Sequence, residues 1–204
     1  MNIQDARMCA RYGADILGFV VDYPHAVPWN LDAEHARELI QAVSGPAETC
    51  VVTGGSPDKI FRVAAETKPN YIQLHCNETL ADTVQLAAEL GKTGVKIIKT
   101  IFPDTPDPEK TAADFRMAGV YALLLDPRTP GNAKNGGMAD IALYTRIKNA
   151  VHCPVILAGG ITPENAAEMV RQTEAEIIDL MTGIEKCPGV KDESKVSALF
   201  QVLQ

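Results

Sequence analysis

The chain has 204 residues, a formal net charge of -7 and 46% hydrophobic residues, values that suit a single domain over residues 1–204 with one substantial core. The acidic balance argues against nucleic acid or an anionic membrane as partner, because both are gripped by clustered Lys and Arg. It leaves open a small anionic ligand held by main-chain N–H groups.

The opening stretch reads as a helix over Gln4–Tyr12 running into a buried strand at Ile16–Val21. A helix at Ala33–Val43 follows, with Asp32 as a possible cap, and then a strand at Thr49–Thr53. The helix at Pro57–Thr67 has Ser56 before it and proline at its first position. A strand at Tyr71–Leu74 leads to a helix at Leu80–Leu90 behind Thr79, and a strand at Val95–Ile101 to a helix at Pro108–Met117 behind Asp107. The strand Ala122–Leu125 precedes a helix at Ile141–Ala150 capped by Asp140. The last units are a strand at Pro154–Ala158, a helix at Pro163–Gln172 capped by Thr162, a strand at Ile177–Leu180 and a helix at Ser194–Leu203.

The strands are short and continuously apolar, as in a parallel sheet covered on both faces. Strand and helix alternate at a spacing of about 25 residues, the signature of βα units. The expected fold class is therefore α/β. A (β/α)₈ barrel has eight strands; the visible strands fall one short, with the deficit at the N-terminus. An open doubly wound sheet accounts for the count without a deficit, but it lacks a Gly-rich fingerprint after its first strand.

No apolar run approaches the roughly 18 residues of a membrane span, and no charged-then-apolar leader is visible, so a cytoplasmic setting is expected. The five cysteines, Cys9, Cys50, Cys76, Cys153 and Cys187, are widely spaced with no CxxC pair. Reduced thiols fit better than a disulfide framework or a zinc site.

Three stretches carry chemistry. In Ile156–Asn165 (ILAGGITPEN) a strand ends in Gly159-Gly160 and a helix follows. In Ile177–Glu185 (IIDLMTGIE) the next strand ends near Thr182 and Gly183. Paired glycines let main-chain N–H groups approach a ligand, and helix N-termini attract anions. In barrels the loops after strands seven and eight commonly hold phosphate. Either stretch alone is equally well read as a tight turn with a cap; the two in this order favour phosphate.

Asp126 ends the buried strand ALLL, where a carboxylate faces the catalytic mouth and burial would fit it for general-acid work. Capping a turn before Pro127 is the competing reading. His75 and Cys76 end the strand YIQL on the same face. A lone histidine is more often structural, and a lone cysteine more often a small buried hydrophobe.

Five segments carry a resemblance: Gly13–Val20, Gln73–His75, Leu123–Asp126, Leu157–Asn165 and Gly183–Asp192. Through them the chain resembles the phosphoribosylanthranilate isomerases of tryptophan biosynthesis from end to end. The resemblance implies a (β/α)₈ TIM barrel, here lacking its first strand. It also implies an Amadori rearrangement of N-(5-phosphoribosyl)anthranilate with no metal or organic cofactor. In the family an aspartate at the end of strand six protonates the furanose ring oxygen, and a cysteine at the end of strand one removes the C2 proton. Asp126 matches the acid; Gly159, Gly160, Thr182 and Gly183 match the phosphate loops.

Three departures stand against this. The family's opening Lys-Xaa-Cys-Gly-Ile motif would lie before Met1, and Cys9 lies inside the following helix. Trp29 stands where the family has the arginine that meets the anthranilate carboxylate, and the turn at Gly131–Gly137 is altered. Two explanations follow: an incomplete chain whose true start lies upstream, or a paralogue that lost its first strand. Loss of that strand would expose the edges at Ile16–Val21 and Ile177–Leu180, and unpaired edges invite association, so the chain is expected as a monomer or homodimer. On the paralogue reading the ligand is a different phosphosugar, turned over or merely bound. Arg128 would supply the missing charge, and Cys76 or His75 the base.

Overall fold

The computed structural model describes residues 2–43, 45, 47–129 and 137–204. Its core is one parallel sheet of seven strands in sequence order: β1 (Ile16–Val20), β2 (Glu48–Thr53), β3 (Tyr71–Leu74), β4 (Lys96–Ile101), β5 (Ala122–Leu125), β6 (Val155–Ala158) and β7 (Ile177–Asp179). Each strand is followed by a helix, so each crossover returns to the next place in the sheet. The helices are α1 (Ile3–Tyr12), α2 (Ala33–Val43), α3 (Pro57–Thr67), α4 (Leu80–Gly91), α5 (Pro108–Met117), α6 (Ile141–Ala150), α7 (Ala166–Thr173) and α8 (Glu193–Val202). A hairpin of β8 (Glu185–Cys187) and β9 (Val190–Lys191) lies between β7 and α8.

Strand period sorts the side chains into two apolar layers. Cys50, Tyr71, Ile98, Ala122, Leu124 and Ile156 point inward and pack on one another with Ile16 and Ile177. Leu17, Phe19, Val51, Ile72, Leu123 and Leu157 point outward into the layer beneath the helices. An inner layer filled by alternate residues is how a curled sheet packs its interior. The fold is the (β/α)₈ barrel lacking one strand, curled about that inner layer.

The curl is least covered at its two ends. Among the described residues β1 pairs with β2 and β7 with β6, and no pairing joins β1 to β7. Gly18, inward on β1, faces open space, and β7 is only half-buried along its length. The upper part of the β1 edge is bonded locally. Leu31 N–H donates to Val20 O at 2.9 Å, and Asp22 N–H donates to Leu31 O at 2.9 Å. These groups point away from β2, so the loop after β1 folds back along that edge.

Local sequence explains most boundaries. Ser56 caps α3 and Asp140 caps α6, and Thr79 forms a capping box with Asp82 on α4. Asp107 differs: it sits at φ 42° with no side-chain cap bond. The helix expected from Pro163 begins instead at Ala166. The cause is Asn165, whose side chain accepts from Thr162 N–H at 2.8 Å and donates to Gly160 O at 2.9 Å. That closes a turn over 162–165 and delays the helix by three residues.

Candidate active site

The C-terminal ends of the strands converge on Asp126. Its carboxylate, 1% exposed, follows β5 and faces the interior in line with Leu124. His75, the residue after β3, brings Nε2 to 3.2 Å from Asp126 Oδ2. Tyr23, after β1, holds the other side of that ring, with its hydroxyl 3.1 Å from Nδ1 and 2.9 Å from His75 O. Arg128 curls back over two residues, with Nε 3.0 Å from Oδ1 and Nη2 2.7 Å from Oδ2 of Asp126. This is the fork-on-carboxylate geometry of a strong charge-assisted pair. Arg128 N–H also donates to Oδ1 at 2.9 Å.

Burial would push the Asp126 carboxyl up. The hydrogen bond from His75 and the guanidinium of Arg128 outweigh burial and hold it far below the usual carboxylate range. Asp179, at the end of β7, moves the opposite way: burial raises it first and the negative charge of Asp126 second, against the pull of Arg128, His75 and Lys191. Two carboxyls thus stand at one mouth with affinities for protons pushed apart, the pattern of sites that move protons.

Cys76 lies beside this group. Its thiol is raised by burial and then by the charge of Glu78, with Tyr23, Lys99 and Lys59 pulling it down. A Cβ added to Gly54 would lie 2.5 Å from Cys76 Sγ and 2.7 Å from Glu78 Oε1, so only glycine fits beneath the thiol. Lys59, from α3, donates to Gly54 O at 2.7 Å and to Asp22 O, tying the loops after β1 and β2.

The two glycine-bearing loops meet. Gly159 and Gly160 both adopt positive φ, 106° and 64°, as a sharp turn after β6 requires. Thr182–Ile184 forms a short 3₁₀ turn, and a Cβ on Gly183 would lie 1.9 Å from Ile161 O. A Cβ on Gly159 would lie 2.4 Å from Pro127 Cγ, and one on Gly160 would lie 2.4 Å from Met138 Sδ. Packing thus requires glycine at 159 and 183, where a proline ring and a backbone carbonyl stand in the way, whereas at Gly160 the positive φ is the stronger constraint because Met138 is an exposed, movable side chain. The contact of Pro127 with Gly159 also joins the Asp126 end of β5 to the turn after β6.

Sequence reasoning singled out Asp126, His75, Cys76 and Arg128 separately; the structure brings them together, and it sets Gly183 against Ile161 and Thr162, the residues that follow Gly159 and Gly160. Trp29 is half-buried in the loop after β1. The altered turn at 131–136 lies outside the described residues. Tyr23, Asp179, Glu78 and Lys99 were missed. Asp179 carried the same signal as Asp126, a carboxylate ending an apolar strand, and Lys99 was a lone charge inside VKIIKTI. Tyr23 carried none. Among the described residues, no cluster of three or more His, Cys, Asp or Glu is placed to hold a metal ion, and no helix is long and apolar enough to cross a membrane.

A curled parallel sheet with ionisable groups gathered at the C-terminal ends of its strands defines a barrel enzyme of the βα class. The chain belongs to the N-(5'-phosphoribosyl)anthranilate isomerase family, whose model matches residues 2–202. It is 31% identical over 202 residues to the isomerase of Methanopyrus kandleri, covering 95% of this chain and 90% of that protein. It is 35% identical over 190 residues to the isomerase of Haloferax volcanii, covering 91% and 81%. The crystal structure of phosphoribosyl anthranilate isomerase from Thermus thermophilus superposes with a TM-score of 0.82 at 27% identity, covering 100% of this chain and 94% of that one.

Proposed function

We propose that this chain isomerises N-(5'-phosphoribosyl)anthranilate in tryptophan biosynthesis, with Asp126 as the acid that opens the sugar ring. The single observation that carries this is the buried Asp126 carboxylate at the end of β5, held by His75 and Arg128 at the mouth of the sheet. In the first step a protonated Asp126 gives its proton to the ring oxygen. The C1–O bond breaks with its electron pair going to oxygen, and the nitrogen lone pair forms the C=N bond of a Schiff base. A base then takes the C2 proton, and those electrons form the C1–C2 double bond as the cationic nitrogen recovers its pair. The resulting enol becomes the ketone of the product by proton shift.

His75 and Cys76 are the candidate bases on this chain. Tyr23 and Asp126 occupy both ring nitrogens of His75, so His75 serves as the base only once the ligand displaces one of these contacts. The Cys76 thiol is held in its protonated form by burial and the charge of Glu78, which weakens it as a resting base. The phosphate is proposed to sit on main-chain N–H groups of Gly159, Gly160, Thr182 and Gly183, a reading supported by the close approach of Gly183 to Ile161 and Thr162, which follow Gly160. Arg128 is the proposed partner of the anthranilate carboxylate.

The proposed setting is the cytoplasm, as a monomer or homodimer. The experiment is turnover of N-(5'-phosphoribosyl)anthranilate by the purified chain, compared with Asp126→Asn and with His75→Asn. Turnover that survives Asp126→Asn unchanged would remove the acid from this reading.

A further inference from the structure

We propose that Arg128 is a ligand-responsive latch on Asp126: it clamps the carboxylate while the site is empty, and an incoming carboxylate draws it off, so that Asp126 takes up the proton that ring opening needs. This rests on the reading of the site given above. It answers a difficulty internal to that reading, since an acid must carry a proton and the clamped Asp126 is a carboxylate.

The geometry separates the two halves of the pair. Asp126 is 1% exposed and fixed by three donors from Arg128 and one contact from His75. The Arg128 side chain is 20% exposed, and among the described residues its guanidinium hydrogen-bonds to Asp126 alone. A guanidinium on a flexible, partly exposed stem can exchange one carboxylate for another at little cost, because its charge stays paired throughout. Asp126 cannot move away, being the end of a buried strand. Its charge, left without the guanidinium, faces His75 from β3, Tyr23 through that histidine, and the carboxyl of Asp179 from β7, which burial and Asp126 push toward its neutral form. With the guanidinium withdrawn, burial pushes toward the neutral acid and only the contact with His75 opposes it.

Charge conservation gives the latch a signature independent of catalysis. Before binding, the group holds one carboxylate and one guanidinium. Afterwards it holds the ligand carboxylate, the guanidinium and a neutral Asp126, with one proton taken from solvent. Binding and protonation are then linked, and the linkage is reciprocal.

The test uses 2-aminobenzoate, which carries the carboxylate without the sugar, and isothermal calorimetry at neutral pH in buffers of different ionisation enthalpy. The wild-type chain is expected to take up close to one proton per 2-aminobenzoate bound, with affinity rising about tenfold for each pH unit lowered. Aniline, lacking the carboxylate, should drive no uptake. Asp126→Asn should bind 2-aminobenzoate at least as tightly and without uptake, since its Arg128 is already free. Arg128→Met should bind about ten- to a hundredfold more weakly, also without uptake, and Arg128→Lys should recover part of the affinity. Each variant is first shown to melt cooperatively.

Binding without proton uptake, uptake that persists in Asp126→Asn, or no binding of 2-aminobenzoate at millimolar concentration would each overturn the latch. Uptake without turnover would leave the latch standing and sink the isomerase reading. Turnover without uptake would do the reverse.

Discussion

Two buried acid–base pairs stand at the ends of these strands, linked through the segment His75–Glu78, and only one of them is closed. Glu78 and Lys99 are 0% and 3% exposed and meet at 3.1 Å. Glu78 also accepts from Gly55 N–H at 3.1 Å and Cys76 N–H at 3.2 Å, while Lys99 also donates to Leu74 O at 3.4 Å and Cys76 O at 2.9 Å. All three ammonium protons and both carboxylate oxygens are engaged. Asp126 and Arg128 instead pair a sealed carboxylate with an arginine side chain that is partly exposed. A buried pair with every group satisfied fixes loops in place, whereas one with an exposed partner can be remade by a ligand.

Four experiments probe the contrast between the closed pair and the open one. The largest effect is expected from Asp126→Asn, with turnover falling about 10²- to 10⁴-fold and the folded signal retained by circular dichroism. A loss below tenfold would place the acid elsewhere. Lys99→Met should do the opposite: unfolding free energy falls by about 3–5 kcal/mol, because Glu78 is left buried and unpaired. Denaturant titration measures the loss, and turnover per folded molecule should stay close to wild type. If Lys99→Met instead abolishes turnover in a stable protein, the closed pair belongs to the chemistry.

Gly183→Ala is expected to cost about 1–3 kcal/mol, since the new methyl drives into Ile161 O. It should also weaken binding of inorganic phosphate if the two loops share that ligand. A stable variant with unchanged phosphate affinity would detach Gly183 from the site. The smallest effect is a matter of pH. The Cys76 thiol is raised by burial and by Glu78, so its reactive thiolate is depleted below the raised value and appears only as pH climbs past it. Alkylation by iodoacetamide, followed by peptide mass, should find Cys76 slow at neutral pH and faster only above the ordinary thiol range of about 8.5. Fast alkylation at neutral pH would make Cys76 a thiolate and restore it as the stronger candidate base.

The sheet was legible because its signal is local. Continuous apolar runs such as ALLL and VILA, with caps at Ser56, Thr79 and Asp140, place strands and helices to within a residue or two. The delayed start of α7 was not, because Thr162 and Asn165 compete to cap the same turn and only the carbonyl of Gly160 decides between them. The hairpin at Glu185–Lys191 was hidden for a related reason: strands of three and two residues are too short for a period to show. In the site, Asp126 and His75 could be read from their positions at strand ends. Tyr23 could not, since its role depends on a loop that folds back through Leu31 onto the edge of β1. The clamp of Arg128 on Asp126 needed geometry, because a spacing of two residues across a proline does not by itself say which way a side chain curls.

The most direct measurement is a crystal structure of the chain with a stable analogue of the product, bearing both a 5-phosphate and a carboxyphenylamino group. Phosphate oxygens are expected about 3 Å from the main-chain nitrogens of Gly160 and Gly183, with Asp126 beside the former ring oxygen and Arg128 turned from Asp126 to the aromatic carboxylate. Phosphate bound away from the two loops, or Arg128 still locked on Asp126 with the ligand in place, would contradict this placement.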